Sequence, residues 1–263
     1  MRTRRLTAVL VASLLVIVAG CGGSNSSSAG SGAGGGAKPD LTVSAAASLT
    51  KALTRYGAQF TAAKARFSFA GSDQLAAQIQ QGVKPDVFAS ANLKLPDMLH
   101  AKGLVSKPVA FTSNRLVIAV PAGSAKVRSV ADLAKPGVRI AIGSATVPIG
   151  SYTRKVLSGL SAAEQKQILA NVRSDEADVK GIVAKVTEKA VDAGFVYVTD
   201  VAATSGKADA LQLPSGLQPQ VAYGVAVVTG AKHPAQAQAF IAGLLRGPGH
   251  QDLRKAGFLA PPR

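Results

Sequence analysis

The chain has 263 residues, of which 47% are hydrophobic, and a formal net charge of +16. That length is enough for one large domain or two small ones to bury a core without disulfides or structural metal. The single cysteine, Cys21, excludes an intramolecular disulfide and a cysteine-based zinc site, and His100, His233 and His250 lack the spacing of metal ligands.

The first 37 residues predict export and anchoring. An arginine-rich start (1–5) precedes an apolar run (6–18) that is shorter than the ~20 residues of a membrane span. Residues 1–20 are therefore predicted to be a signal peptide, for either general or twin-arginine export. The last residues before Cys21 resemble a bacterial lipobox, which implies cleavage there and a lipid on the sulfur. The Gly- and Ser-rich stretch up to residue 37 is typical of a flexible linker.

The positive charge is spread along the chain without a dense cluster, and tryptophan is absent. We interpret the charge as a general attraction for anions and not as a nucleic-acid site. Export also argues against nucleic acid as a partner. The expected location is the cell membrane, with the protein lipid-anchored on the extracytoplasmic face.

From residue 38 onward, apolar runs that are typical of strands alternate with amphipathic patterns. The predicted strands are 41–44, 67–70, 86–89, 116–120, 139–142, 195–198 and 225–228. Helical spacing of apolar residues predicts helices over 49–60, 179–186 and 237–244, the last with Pro234 in its first turn and Gly247 as its stop. This alternation predicts an α/β fold with mostly parallel sheets.

Four loops place a helix start directly after a strand: 46–49, 70–73, 147–151 and 176–179. The first turn of a helix has backbone N–H groups without internal partners, and these groups attract anions. In open α/β sheets such loops lie beyond the carboxyl ends of the strands, where ligands bind. Each loop taken alone is equally compatible with a plain helix cap or turn.

Four segments, in order and spacing, resemble the bacterial molybdate-binding periplasmic proteins: Ala-Ala-Ala-Ser-Leu-Thr at 45–50, Phe-Ala-Gly-Ser at 69–72, Gly-Val-Lys-Pro-Asp-Val-Phe-Ala-Ser-Ala at 82–91, and Phe-Val-Tyr-Val-Thr-Asp at 195–200. The resemblance extends from residue 40 to the end of the chain. It implies the two-lobed type II periplasmic-binding-protein fold, with a hinge and a central cleft. The first lobe would comprise 38–116 and 222–263, and the second 117–221.

The resemblance also implies the ligand site. The hydroxyls and N–H groups of Ser48 and Ser72, the N–H groups of Ile149 and Val179, and the hydroxyl of Tyr197 would hold the oxyanion. Uncharged donors suit a dianion that carries no protons. The metal would enter only as molybdate or tungstate, with no direct side-chain ligands to a metal cation, no cofactor and no catalytic residue.

Two features depart from the family pattern. Asp73 follows Ser72, where a carboxylate facing the anion would repel it and one facing away would favour the helix N-terminus. The loop 143–146 is short and lacks an acidic residue, which leaves open the backbone donor from 143–151. Ser72 itself is expected to cap its helix as well as to bind ligand.

The resemblance implies a monomeric, non-enzymatic receptor that delivers molybdate or tungstate to an ABC import permease and its ATPase. Three alternatives remain at this point. The first is a receptor for another oxyanion, such as sulfate or phosphate. The second is a secreted serine hydrolase, although the sequence has neither a Gly-x-Ser-x-Gly elbow nor a histidine in the motif loops. The third is a basic lipoprotein that adheres to acidic envelope polymers.

Overall fold

The computed structural model describes residues 38–262, which form two five-stranded sheets with helices packed around them. The predicted signal peptide, Cys21 and the linker lie outside the described residues. The strands are β1 (Asp40–Ala46), β2 (Lys64–Ala70), β3 (Val87–Ser90), β4 (Val109–Asn114), β5 (Leu116–Pro121), β6 (Ile140–Gly143), β7 (Val172–Glu176), β8 (Ala193–Tyr197), β9 (Ala208–Gln212) and β10 (Val221–Val227).

The described range contains nine α-helices, of which the last two follow the final strand. They are α1 (Thr50–Gln59), α2 (Ser72–Gln80), α3 (Lys94–Ala101), α4 (Pro148–Leu157), α5 (Ala162–Ala170), α6 (Val179–Thr187), α7 (Val198–Ala202), α8 (Pro234–Arg246) and α9 (Pro248–Lys255). Short 3₁₀ helices occupy Ala47–Leu49, Ala131–Ala134 and Ser215–Leu217. The predicted helices correspond to α1, α6 and α8, and α8 begins at Pro234 and is followed by Gly247 as expected.

Four strands of each sheet run in one direction, in agreement with the prediction of mostly parallel sheets, and the fifth runs against them. The first sheet has the order β2-β1-β3-β10-β4, and β10 runs antiparallel to both of its neighbours. The second has the order β7-β6-β8-β5-β9, and β5 runs antiparallel to both of its neighbours. Every residue of β5 is buried, as is nearly every residue of β10. A strand covered on both faces is apolar whichever way it runs, so the apolar runs did not reveal direction.

The chain changes sheets twice. Strands β4 and β5 belong to different sheets and are separated only by Arg115, and the chain returns between β9 and β10. The first sheet is therefore built from both ends of the described chain and the second from its middle. The first change of sheet, at Arg115, and the start of β10, at Val221, each lie about one residue from a predicted lobe boundary. That the two lobes move as separate units stays a prediction.

Helices cover the faces of the sheets and enclose a core that is almost wholly aliphatic and aromatic. One large buried cluster includes residues of both sheets, such as Leu41 and Val43 of β1 and Ile118 of β5. In the part of the chain that the structure describes, no helix is long and apolar enough to cross a bilayer.

Candidate functional site

Strand ends from both sheets meet at one hollow between them. In the first sheet, β1 leads into the 3₁₀ helix 47–49 and β2 into α2, and the last residues of the two strands, Ala46 and Ala70, are paired. In the second sheet, β6 leads to α4 and β7 to α6, and Gly143 is paired with Glu176. The parallel register therefore puts the two helix starts of each sheet side by side.

The hollow contains a small cavity, and all five predicted ligand residues line it. The volume of this cavity, measured as the space open to the centre of a water-sized sphere, is about 20 Å³. Treated as spherical, the cavity admits a body of about 3 Å radius, roughly one atom with a single shell of oxygens. The lining residues are Ala46, Ala47, Ser48, Ala70, Gly71, Ser72, Ala91, Val147, Pro148, Ile149, Asp178, Val179 and Tyr197. Contact of the five with a ligand stays a prediction.

Ser48 is held by a buried tyrosine that the sequence analysis missed. The Ser48 Oγ lies 3.0 Å from the hydroxyl of Tyr223, and the Asn114 Nδ2 donates to that hydroxyl at 3.5 Å. Burial raises the pKa of Tyr223 well above its usual value, so the hydroxyl stays protonated. If Asn114 donates to the Tyr223 oxygen, the tyrosine proton is free for Ser48. The Ser48 hydroxyl can then donate its own proton to a ligand in the cavity.

The sequence contains one weak indication that Tyr223 has a specific role. It is the sole polar side chain of β10, in Val-Ala-Tyr-Gly-Val-Ala-Val, and a tyrosine in such a run usually has a partner for its hydroxyl. Nothing local identifies that partner, because Ser48 is 175 residues away.

Ser72 is the first residue of α2, and the expectation that it caps this helix is wrong. Gly71 occupies the N-cap position, without a side-chain cap. The Ser72 Oγ instead accepts the N–H of Ala91 at 3.1 Å, across the edge of the first sheet. The side chain is buried, and its hydroxyl proton remains available for donation.

The second sheet contributes backbone donors. Val179 is the first residue of α6, and the preceding Asp178 is the N-cap. The Asp178 carboxylate accepts the N–H groups of Lys180 and Gly181 at 2.7 and 3.2 Å. The N–H of Val179 takes no part in this cap, and it is one of the first-turn donors that a helix cannot satisfy internally.

Ile149 is the second residue of α4, after Pro148 at a position where the missing N–H of proline costs nothing. The next residue must be glycine, because a Cβ at Gly150 would lie 1.9 Å from the Ser144 oxygen and 2.3 Å from the Gly143 oxygen. This close approach lets the loop after β6 fold tightly against the helix start. Ile149 is thereby held in the cavity lining, and its N–H is one of the first-turn donors that a helix cannot satisfy internally.

Tyr197 ends β8 and is the most informative residue of the site. Its side chain is 1% exposed, and its hydroxyl has no hydrogen-bond partner among the described residues. Burial raises the pKa of Tyr197 well above its usual value. The hydroxyl is therefore a protonated donor that has lost its water, an arrangement that costs about 1–3 kcal/mol unless something accepts the proton.

Every donor at the cavity is uncharged. No Lys, Arg or His is among the lining residues, and the one carboxylate, of Asp178, caps α6 through its Oδ1. Within residues 38–262, no group of three or more His, Cys, Asp or Glu side chains could hold a metal ion. The arrangement suits an acceptor-rich anion without protons of its own.

Two contacts join the lobes beside the cavity. The Thr146 hydroxyl, from the second lobe, donates to Asp73 Oδ2 on α2 at 2.6 Å. Asp73 is absent from the cavity lining, so the structure answers the question left open by the sequence: its carboxylate binds the opposite lobe. Next to it, a Cβ added to Gly71 would lie 2.4 Å from the carbonyl oxygen of Ala177.

Known proteins with similar sequences and folds are consistent with this site. Residues 41–259 match the family model described as bacterial extracellular solute-binding protein. The molybdate-binding protein ModA of Mycobacterium tuberculosis is 35% identical over 99% of this chain and 100% of its own. The periplasmic molybdate-binding protein of Azotobacter vinelandii has a TM-score of 0.75 at 22% identity, covering 84% of this chain and 100% of its own.

The sulfate-binding protein SubI of Mycobacterium tuberculosis has a TM-score of 0.74 at 17% identity, covering 84% of this chain and 86% of its own. The two solved structures share the two-lobed fold, and at these identities they show the fold alone. The family of the chain is shown by the family model that matches residues 41–259 and by the full-length relative at 35% identity. This chain belongs to the bacterial extracellular solute-binding proteins, and its resemblance to the molybdate-binding members is confirmed.

Proposed function

We propose that this chain is the receptor of an ABC importer for molybdate or tungstate. The observation that carries the proposal is the unpartnered, buried hydroxyl of Tyr197 at a cavity to which both lobes contribute only uncharged donors. A tetrahedral dianion supplies four acceptor oxygens to such a set. Its binding would remove the cost of the unpartnered hydroxyl.

The same chemistry separates the candidate oxyanions. Hydrogen phosphate carries a proton and needs an acceptor. The one carboxylate at the cavity, of Asp178, has its Oδ1 committed to two N–H groups, which leaves Oδ2 as its single uncommitted oxygen, so the donor-rich cavity favours an anion without protons. Sulfate carries no proton but is smaller than molybdate. The shorter bonds of sulfate would place its oxygens farther from the surrounding donors. Because the Asp73–Thr146 hydrogen bond holds the two lobes together, the donors could move toward the smaller anion only by straining the packed structure around them.

A serine hydrolase is not favoured. Its serine needs a base within hydrogen-bond reach, and the partner of Ser48 is the hydroxyl of Tyr223, which burial keeps protonated. None of the three histidines lines the cavity. Adhesion to acidic polymers would not require a cavity lined by both lobes or a buried hydroxyl without a partner.

The cellular setting is part of the proposal. Lipid on Cys21 and a flexible linker would hold a monomeric receptor on the extracytoplasmic face of the membrane, near a permease and its ATPase. The relatives of this chain are solute-binding proteins, which supports a role in delivery and not in catalysis.

The test is thermal melting of the purified full chain with molybdate, tungstate, sulfate or phosphate. A ligand present at 100 times its Kd stabilises the native state by about 2.7 kcal/mol, so the melting temperature rises with ligand concentration. We expect such a rise with molybdate and tungstate and a much smaller one with sulfate and phosphate. A larger rise with sulfate or phosphate, or none with molybdate, contradicts the proposal.

Paired serine variants locate the binding. Ser72→Ala removes a hydroxyl from the cavity lining, whereas Ser215→Ala removes one from a 3₁₀ helix without buried residues that takes no part in the lining. We expect molybdate to stabilise the second variant as it does the native chain and the first one less. Equal responses would place binding elsewhere.

A further inference from the structure

The end of the first sheet that points away from the cavity carries a row of exposed lysines. The carboxyl ends of β1, β2 and β3 lie at the cavity, so their amino ends lie at the opposite end of the lobe. β10 runs antiparallel to β3 and ends there, whereas β4 begins there. Each strand has a lysine at or close to this end, and a sixth lysine follows α3. They are Lys38, Lys64, Lys84, Lys102, Lys107 and Lys232. We call this surface the basic face.

Backbone contacts hold the segments of the basic face together. The N–H of Lys64 donates to the carbonyl of Pro39 at 2.8 Å, which puts the start of β2 beside the start of β1. The N–H of Thr229, after β10, donates to the carbonyl of Leu104, before β4, at 2.9 Å. Because neighbouring strands lie about 4.8 Å apart, the five strand ends form a surface about 19 Å wide.

The charge of the basic face is not neutralised by carboxylates. Its six lysines form no salt bridge with any residue in the range 38–262. Of the two carboxylates in the same segments, Asp40 pairs with Arg66, and Asp86 is buried and accepts backbone N–H groups. On the second lobe, by contrast, five basic residues pair with Asp or Glu. The fold therefore brings together unpaired positive charges that are dispersed along the sequence.

Two exposed valines lie among these lysines. Val83 is 50% exposed and Val109 is 39% exposed, and in the described range the one other exposed large hydrophobic side chain is Leu169. Each valine lies within two residues of a lysine of the basic face and lines a mainly apolar hollow on the lobe surface. Lysines beside exposed apolar side chains are typical of surfaces that rest on a bilayer, where the charges meet headgroups and the apolar groups meet the acyl boundary.

The described chain also begins on the basic face, at Lys38. The residues from Cys21 to Ala37 can span at most about 60 Å when fully extended. If Cys21 carries a lipid, the anchored chain enters the folded body at the basic face, within that distance of the bilayer. This step rests on the anchor of the proposed function, whereas the charge and the exposed valines do not depend on it.

We propose that the basic face docks on a membrane that contains anionic phospholipids, with its lysines at the headgroup phosphates and with Val83 and Val109 at the acyl boundary. Such docking needs no directed contact, because a charge within a Debye length of about 8 Å interacts with the surface potential. Each lysine should strengthen binding about fivefold. The cavity lies at the opposite end of the first sheet, so docking leaves it clear of the bilayer.

Co-sedimentation of the full chain with lipid vesicles tests the charge. Vesicles of phosphatidylcholine alone are compared with vesicles of an equimolar mixture of phosphatidylcholine and phosphatidylglycerol. We expect tighter binding to the anionic vesicles, and we expect high salt to abolish the difference. Binding through the apolar run 6–18 would be equal on both kinds of vesicle. The measurement uses no molybdate and needs no lipid on Cys21, so the inference and the proposed function can fail separately.

Matched double variants locate the charge effect. Lys84→Gln with Lys107→Gln removes two charges from the basic face, and we expect it to weaken binding to anionic vesicles about 30-fold. Lys155→Gln with Lys166→Gln removes two charges from exposed positions of the second lobe and should bind within about twofold of wild type. Thermal melting checks that both variants fold. An equal effect in the two variants, or equal binding of wild type to both kinds of vesicle, overturns the inference.

Tryptophan substitution tests contact with the bilayer. The chain has no tryptophan, so Val109→Trp introduces a single probe on the basic face, and Leu169→Trp introduces one at an exposed position of the second lobe. We expect the emission of the first probe to shift to shorter wavelength on anionic vesicles and that of the second to stay unchanged. A shift in both overturns the inference. A shift in neither, with binding that still depends on the lysines, indicates a surface for acidic polymers and also overturns it.

Discussion

Gly71 lies in close contact with the opposite lobe beside the cavity, so Gly71→Ala tests whether this contact belongs to the liganded state. The backbone at Gly71 has φ −57° and ψ 134°, which alanine adopts without strain. The added Cβ, however, would lie 2.4 Å from the Ala177 oxygen. A relaxed carbon–oxygen contact is about 3.3–3.6 Å, so the lobes must separate locally by about 1 Å.

That separation has a calculable effect on the neighbouring contact. The Thr146 hydroxyl lies 2.6 Å from Asp73 Oδ2, and a further 1 Å would carry the pair to about 3.6 Å, beyond hydrogen-bond range. Loss of a hydrogen bond to a charged group costs about 1.5–3 kcal/mol. We therefore expect Gly71→Ala to weaken molybdate binding by about 10- to 100-fold.

Calorimetry with molybdate measures the affinity, and thermal melting without ligand measures stability. The melting temperature should stay unchanged or rise slightly, because alanine restricts the unfolded chain. Gly216→Ala is the matched control, since the added Cβ meets nothing within 4 Å. If Gly71→Ala binds molybdate as tightly as the control does, the contact with Ala177 is not part of the liganded arrangement and the reasoning is refuted.

Three further substitutions separate ligand contacts from structural ones. Tyr197→Phe removes a hydroxyl without a partner, so we expect molybdate affinity to fall about 10-fold in calorimetry while stability in urea stays equal or rises. Tyr223→Phe removes the partner of Ser48 and Asn114, so urea unfolding should show a loss of about 1–2 kcal/mol together with weaker binding. Burial raises the pKa of Asp200 to about 6, an effect only partly offset by Lys180. Ionisation therefore destabilises the fold above that pH, by up to about 3 kcal/mol. As pH falls from 7 to 4, wild type should gain stability relative to Asp200→Asn.

Each of these has a contradicting result. Stability lost in Tyr197→Phe would mean that its hydroxyl has a partner in the folded state. Unchanged stability in Tyr223→Phe would remove the proposed support of Ser48. A stability difference between wild type and Asp200→Asn that does not vary with pH would show that Asp200 titrates normally. Asp97→Asn, on α3 and outside the cavity lining, serves as the control for the pH series.

The sequence predicted the six inner strands and the edge strand β2, and it missed the other three edge strands. β4, β7 and β9 each alternate between exposed and partly buried residues or carry polar side chains, as in Val-Arg-Ser-Asp-Glu of β7. Each lies at the edge of its sheet, where one neighbouring strand and not a local apolar run holds it. The one antiparallel strand of each sheet, β10 or β5, was not predicted, because a strand that is buried on both faces is apolar in either direction.

At the site, the helix starts predicted from local pattern do converge, because strand register brings them together. The roles of single side chains depended on distant partners and were not predictable. Gly71, and not Ser72, is the N-cap of α2, and the Ser72 Oγ accepts a hydrogen bond from the N–H of Ala91. Asp73 faces Thr146, which comes from the other lobe and is 73 residues away.

The position of β10 constrains the order in which the protein can be completed. It lies between β3 and β4, and it is contributed by Val221–Val227, more than 100 residues after β4 ends. Until that segment arrives, β3 and β4 each expose an unpaired edge that is prone to association with other chains. The second sheet is continuous from Leu116 to Gln212 and has no such dependence. A chain cut short before β10 would therefore keep a complete sheet in its middle and an open, adhesive one at its start.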